Sequence, residues 1–158
     1  MRRAALLIFA ALITLAAPAR ATDLVPADPW QIIHVAREFG PAEVARDGMN
    51  DPQIRGTIDG LHYRLDFYGC HLGRDCDTIL FRARFSRKEW QAEPPDPQVF
   101  ADWNRAKLFG RAWLDDEDRA VLDHPVALGP GIPEPALRAA FERWRAALAE
   151  YAGHLGLR

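Results

Sequence analysis

The dipeptide Asp59-Gly60 constrains this chain most strongly, because it stands between two segments in which apolar and polar residues alternate. Asp-Gly is a preferred sequence for the two-residue turn of a β-hairpin, where both residues need positive φ angles. The alternation covers Gln53 to Ile58 before the turn and Leu61 to Tyr68 after it. A period of two residues is typical of a strand with one buried face. We therefore predict an antiparallel hairpin over residues 53–68.

Two further segments extend this hairpin into a sheet. From Ile79 to Phe85, apolar residues recur at every second position and alternate with polar ones. Ala42 to Arg46 is a weaker strand, separated from the hairpin by turn-forming residues. The pattern predicts an antiparallel meander with one face toward the core and one face toward water.

Three helices are predicted around these strands. Asp28-Pro29 and Asp96-Pro97 both place a capping carboxylate before a proline, which is typical of a helix N-terminus. The first helix is expected to run to Phe39, and the second to end before Gly110. A third helix is indicated by apolar residues at steps of four and three residues. These residues are Leu137, Phe141, Trp144, Leu148, Tyr151 and Leu155.

The remaining segments complete one α+β domain over residues 22–158. Residues 109–114 and 119–128 are predicted strands, joined by an acidic turn. Alternation does not determine which face of Phe109–Leu114 is buried, because apolar residues occur on both sides. In the last helix, Arg138 and Glu142 have the spacing of an ion pair. The predicted order is α-β-β-β-β-α-β-β-α, with the helices packed on one face of an antiparallel β-sheet.

Residues 1–21 are expected to be a signal peptide of the Sec type. Arg2 and Arg3 precede an apolar run from Ala4 to Ala17, and Ala19-Arg20-Ala21 has the small residues that signal peptidase requires. The run is shorter than the about 20 residues that a transmembrane helix needs. We expect cleavage after Ala21, a periplasmic or secreted location, and no membrane span in the mature protein.

The charge balance gives no indication of nucleic-acid binding. The whole chain has a formal charge of −2, and loss of residues 1–21 would remove three arginines and no acidic residue. The mature chain would then carry −5, whereas nucleic-acid-binding domains are usually basic.

Cys70 and Cys76 are the two cysteines of the chain, and they flank a predicted hairpin loop. In an oxidising compartment, this spacing predicts a disulfide. The alternative is a redox pair or metal site formed by Cys70, His71 and Cys76. Redox pairs favour C-x-x-C, however, and structural zinc sites need four ligands. We expect no metal and no cofactor.

Four arginines share the polar face of the predicted sheet with His62, Asp66 and Tyr68. The arginines are Arg55, Arg64, Arg82 and Arg84. Such a face is most often a solvated surface. The functional alternative is docking of a partner's acidic segment, because arginine and tyrosine are enriched at protein interfaces.

The chain lacks the common sequence motifs of hydrolases, nucleotide-binding proteins and zinc proteases. Asp123-His124 resembles a catalytic dyad, but adjacent residues of a strand point to opposite faces. Asp115–Asp118 lacks the ligand spacing of a calcium loop. We therefore predict no catalytic residues and no metal site.

Two stretches resemble the YbjN family in its exported form. The first is Asp66 to Cys70, DFYGC, followed by Cys76, and the second is Trp103 to Asp115, WNRAKLFGRAWLD. The family pattern is Y-F-Y-G-C, a second cysteine, W-N-x-x-x-x-F-G-R-A-Y-L-D and a terminal helix with a tryptophan. Asp66 and Trp113 depart from it. The motif residues are Trp103, Asn104, Phe109, Gly110 and Arg111.

The resemblance implies a fold like that of type III secretion chaperones, with helices on a curved antiparallel sheet, in a protein that binds other proteins. Family members are labelled sensory-transduction regulators, and the resemblance brings no catalytic residue with it. A shared fold does not by itself determine function. For Asn104, beside Trp103, we expect a bond to a nearby loop backbone.

Three hypotheses follow for function. The first is a non-enzymatic periplasmic module that binds a protein partner, with a chaperone-like or regulatory role and a homodimer as one form. The second is a redox or metal-binding protein that uses Cys70, His71 and Cys76. The third is a structural component of the cell envelope.

Overall fold

The computed structural model describes residues 24–86 and 95–157. The expected signal peptide, residues 1–21, lies outside these ranges. Three helices are present: α1 (Pro29–Ala36), α2 (Pro97–Ala106) and α3 (Glu134–His154). The strands are β1 (Leu24–Val25), β2 (Ala42–Arg46), β3 (Pro52–Ile58), β4 (Leu61–Tyr68), β5 (Thr78–Phe85), β6 (Arg111–Leu114), β7 (Ala120–Ala127) and β8 (Ile132–Pro133).

Six strands form one antiparallel sheet in the order β2-β3-β4-β5-β7-β6. The predicted meander covers β2 to β5, and the Asp59-Gly60 turn joins β3 to β4 with positive φ angles at both residues. The chain then passes through α2 before β6 forms the far edge of the sheet and β7 pairs with β5. The α+β class and the predicted order of the principal elements are confirmed.

Both proline-initiated helices begin where the sequence predicts. Asp28 and Asp96 each accept a hydrogen bond from a backbone N–H in the first turn, at 2.8 Å. The first helix, however, ends at Ala36 and not at Phe39. The Phe39 ring instead stacks on Phe141 of α3, with ring centroids 5.1 Å apart.

The helices cover one face of the six-stranded sheet, here called the inner face. The predicted stripe of α3 provides the contacts: Phe141 packs on Phe81 of β5, and Tyr151 packs on Phe85. Trp144 lies 5.4 Å from the Phe81 ring and is fully buried. This layer of aromatic and aliphatic side chains forms the hydrophobic core.

The structure determines the buried face of β6. Ala112 is buried and pairs with Leu122 of β7, so this side of β6 joins the inner face. Trp113 consequently lies on the opposite side of the sheet. Ala112 is buried and Trp113 is half-buried, because α2 packs against β6 on the side of Ala112.

Two details differ from the sequence predictions. Leu24–Val25 forms the short strand β1, which pairs with β8 (Ile132–Pro133) and is absent from the predicted order of elements. Arg138 does not pair with Glu142 but donates to Glu134 and to Glu38, which lies just beyond α1. None of the helices in residues 24–86 and 95–157 is both long and apolar enough to span a membrane.

Candidate functional site

A row of charged side chains crosses all six strands of the sheet on the face opposite the helices, here called the outer face. Strand registers place its members directly beside one another. In order from β2 to β6, they are Glu43, Arg55, Arg64, Arg82, Asp123 and Arg111. Like charges directly opposite one another destabilise a sheet. The three adjacent arginines therefore need anionic partners.

Asp66 is the anionic partner shared by two of these arginines. Its Oδ2 accepts from Arg64 Nε at 3.0 Å and lies 3.6 Å from Arg82 Nη1. Its Oδ1 accepts from the buried Gln53 amide at 2.6 Å. Because one carboxylate serves two guanidinium groups, the centre of the row keeps an excess of positive charge.

Asp123 is the second acidic anchor of the outer face, and it is 2% exposed. It accepts from Arg82 and from both nitrogens of the Arg111 fork at 3.3 Å, and from Trp113 Nε1 at 3.0 Å. A buried carboxylate needs such partners, because an unpaired buried charge is strongly destabilising. Asp123 thus connects the last three strands of the sheet.

Arg84 lies two residues beyond Arg82 on the same face of β5. Its Nε is 3.6 Å from Asp115, whose carboxylate also accepts from Arg119 at 2.8 Å. Burial, reinforced by the nearby charges of Arg64, Arg82 and Arg119, lowers the pKa of Arg84. Burial is the larger cause of this lowered pKa, and the neighbouring arginines add to it, while Asp66 acts in the opposite direction.

The pKa of the Asp115 carboxyl is lowered, whereas burial alone would raise the pKa of an acid. Burial acts to raise its pKa, but hydrogen bonds from the backbone and guanidinium of Arg119 and from the Glu117 N–H lower it overall. Asp115 therefore stays ionised and holds the turn between β6 and β7. The acidic stretch Asp115–Asp118 serves as a hairpin turn, as predicted.

An open cavity of about 650 Å³ lies over the arginine row between β2 and β5. The predicted arginines all line it, together with His62. We call this cavity the arginine groove, and its four arginines are Arg55, Arg64, Arg82 and Arg84. Tyr68, also predicted for this surface, is on the outer face and 48% exposed, but it lies at the end of β4 outside the groove lining.

The motif residues of α2, β6 and the connection between them stabilise the edge of the sheet. Asn104 donates to the Ala112 carbonyl and accepts from its N–H, both at 2.8 Å, so the expected backbone role is confirmed. Trp103 donates to the Gly110 carbonyl at 2.9 Å. Phe109 stacks on the His124 ring, with centroids 3.6 Å apart. These contacts give most of the motif a structural role.

Cys70 and Cys76 form the predicted disulfide. The bridged loop contacts the N-terminal segment, because the Cys76 N–H donates to the Ala27 carbonyl at 2.8 Å. Both sulfur atoms are committed to the bond, whereas a metal site needs thiolates. Within residues 24–86 and 95–157, no group of three or more metal-ligating side chains could hold an ion.

Asp123 and His124 lie on opposite faces of β7, as the alternation of a strand requires. Asp123 is held in the outer-face network, whereas the His124 ring stacks on Phe109. Burial and the nearby charge of Arg143 lower the pKa of His124, and Asp123 partly offsets this effect. Among the described residues, no hydrogen-bonding group joins the two side chains as a dyad.

Sequence reasoning placed Asp66 on the outer face but missed the roles of Asp123 and Asp115, the other two acids that organise it. Asp123 follows the apolar Leu122 in β7, and adjacent residues of a strand point to opposite faces. The sequence therefore indicates that Asp123 lies on the outer face. Its pairing with Arg82 depends on β5 and β7 being neighbours, although β6 lies between them in the sequence. For Trp113 and Asp115, the sequence predicts only a strand and a turn.

Comparison with known proteins identifies a family and solved structures to which this chain is similar. The YbjN family model, described as "Putative bacterial sensory transduction regulator", matches residues 31–157. The crystal structure of YbjN from E. coli, titled "a putative transcription regulator", covers 84% of this chain and 97% of its own, with a TM-score of 0.53 and 16% identity. This likeness confirms the fold and adds no function.

The second solved structure is the Yersinia pestis type III secretion chaperone SycH in complex with a stable fragment of YscM2. It covers 74% of this chain and 95% of its own, with a TM-score of 0.42 and 16% identity. A search of curated protein sequences gives no match.

Proposed function

The chain belongs to the YbjN family, and from this premise we propose that it is a non-enzymatic regulatory module that binds a protein partner. The family description names a regulator, and the motif residues Trp103 and Asn104 serve the fold. The observation that carries the proposal is the arginine groove on the outer face, where positive charge is concentrated in a protein of net negative charge.

The chemistry of the groove favours an acidic segment as the ligand. Guanidinium groups bind carboxylates through paired, charge-assisted hydrogen bonds. Arg55 and Arg64 are directly opposite each other and both contact the groove, so a ligand carboxylate would relieve their mutual repulsion. A second copy of the chain is a further candidate partner, and a crosslinked homodimer would be identified by its mass.

We place this module in the periplasm or outside the cell. The proposal rests on the signal-peptide pattern of residues 1–21, with residues 22–158 as the single mature domain. The Cys70–Cys76 disulfide supports it, because disulfides persist in oxidising compartments. Mature protein from the periplasmic fraction should begin at Thr22 and give no reaction with a thiol reagent. An N-terminus at Met1 together with reactive thiols would contradict the proposed location.

Crosslinking followed by capture from periplasmic extract tests the binding function. Arg64→Glu/Arg82→Glu reverses the centre of the groove and should abolish recovery of a specific partner. Arg105→Glu on α2 is the matched control, because the Arg105 side chain is 73% exposed and its ion pair with Asp102 lies at the surface. The control should recover the same partner as the wild-type protein.

A second groove variant separates loss of binding from loss of folding. Arg82 is only 15% exposed, so its reversal is also expected to weaken the fold. Arg55→Glu changes an exposed residue of the same groove and should keep a wild-type circular dichroism spectrum. Recovery of the same partner by a folded Arg55→Glu/Arg64→Glu protein would contradict the groove as the binding site.

A further inference from the structure

The spacing of Arg82 and Arg84 defines a pattern that a ligand could match. They are two residues apart on the same face of β5, so their Cα atoms are about 6.6 Å apart. An extended peptide has the same repeat, because its side chains at i and i+2 also point to one side. Acidic residues at i and i+2 of an extended segment would therefore face Arg82 and Arg84 together.

Both guanidinium groups keep hydrogen-bonding capacity after their contacts within the protein. Arg82 shares Asp66 with Arg64 and shares Asp123 with Arg111. Arg84 shares Asp115 with Arg119. Within the part of the chain that the structure describes, neither Arg82 Nε nor Arg84 Nε has a hydrogen-bond acceptor. These Nε atoms are buried, so a ligand in the groove would meet the exposed part of each side chain, which is 15% for Arg82 and 26% for Arg84. A carboxylate there can form charge-assisted hydrogen bonds with the guanidinium groups.

The shape of the groove favours a segment of chain over a single ion. Its lining extends from Glu43 on β2 to Arg84 on β5, and its volume of about 650 Å³ is within the range of ligand sites. Pro41 and Ala42 contribute apolar lining at one end. A single carboxylate would occupy a small part of this volume.

Building on the proposed function, we infer that the arginine groove recognises an extended acidic segment with two carboxylates at positions i and i+2. One carboxylate binds at Arg64 and Arg82, and the other binds at Arg84. Arg55 lies farther along the same row and contacts the flank of the segment. Recognition depends on the spacing of the two acids and not only on the total charge.

Peptides of identical composition test the spacing. The purified protein is titrated with fluorescein-labelled Ser-Thr-Glu-Thr-Glu-Thr-Ser and with Ser-Thr-Glu-Glu-Thr-Thr-Ser, and fluorescence anisotropy gives the Kd at low salt. The peptide with i and i+2 acids should bind about tenfold more tightly, the value of one additional charge-assisted hydrogen bond. Arg84→Gln should remove this preference, and Arg105→Gln should retain it.

Arg84→Lys covers the case in which Arg84→Gln does not fold. Lysine keeps the charge but lacks the planar fork, so the preference should fall while binding of both peptides persists. Equal Kd values for the two peptides, or a preference that survives in both Arg84 variants, would overturn the inference and leave the proposed function standing. Failure of both peptides to bind would also overturn it, while the partner capture described above judges the proposed function separately.

Discussion

The inner and outer faces of the same six strands are organised by different forces. On the inner face, Phe81 and Phe85 pack against the helix α3, and Trp144 has no exposed surface. On the outer face, the side chains next to them along β5 are Arg82 and Arg84, held by shared carboxylates. Apolar burial stabilises one face, and ion pairs with hydrogen bonds organise the other.

The comparison shows where stability and recognition can be separated in this fold. Burial of apolar area is the larger stabilising force. Ion pairs that are partly exposed contribute little to stability, because water screens them. Substitutions on the outer face can therefore change binding while the inner face maintains the fold. The buried carboxylates of the outer face should be the exception, because substituting them should also lower stability.

The largest loss of stability is expected for Trp144→Ala. The substitution removes a fully buried aromatic side chain that packs on Phe81, so the free energy of unfolding should fall by about 3–5 kcal/mol. Urea denaturation monitored by circular dichroism measures the change. Tyr68→Ala on the outer face is the matched control, because that ring is half-exposed, and it should cost less than about 1 kcal/mol. Equal losses for both variants would remove the distinction between the faces.

Asp123→Asn should give the largest loss on the outer face. The variant keeps the shape of the side chain but removes the charge that neutralises Arg82 and Arg111. We expect a loss of about 2–3 kcal/mol in the free energy of unfolding. Asp102→Asn, which removes a carboxylate paired with Arg105 at the surface, should change it by less than about 0.5 kcal/mol. An unchanged free energy of unfolding in Asp123→Asn would show that the network contributes no stability.

The inner face could be predicted from the sequence because its determinants are local. Alternation over residues 61–68 and 79–85 indicated the buried side of each strand, and the stripe of α3 indicated the helix face that covers them. Asp28 and Asp96 marked two helix starts through hydrogen bonds within a few residues. Each of these features depends on residues that are close in the sequence.

The outer face could be predicted only in part, because its pairing depends on distant residues. The alternation placed the four arginines on one face correctly. It did not show that Asp123 joins Arg82, since those residues are 41 positions apart and belong to strands that are not consecutive. The short pair β1–β8 was missed for the same reason. With two residues in each strand, it leaves no periodic pattern to detect.

Asn104→Ala tests whether the edge strand β6 depends on a side chain of α2, which belongs to neither face of the sheet. It removes two hydrogen bonds to Ala112, so the free energy of unfolding should fall by about 1–2 kcal/mol. Urea denaturation again measures the loss. Gln98→Ala on the same helix removes an exposed bond to Asp102 and should have a smaller effect. A larger effect of Gln98→Ala would contradict the assignment of Asn104 as the anchor of β6.

The smallest expected effect concerns pH and the imidazole of His124 on the inner face. Burial and Arg143 lower its pKa below the usual 6.5, so the unfolded chain binds a proton at a pH where the folded protein does not. The contribution of His124 to stability is therefore complete above about pH 6.5 and decreases as the pH falls toward the folded pKa. His124→Phe should reduce the loss of unfolding free energy between pH 7.5 and 5.5, measured by urea denaturation at each pH. Arg143→Ala should give an intermediate dependence, because it removes one cause of the shift. If His124→Phe retained the full wild-type pH dependence of the unfolding free energy, His124 would not contribute to it. The carboxylates of the outer face would then be the groups to test.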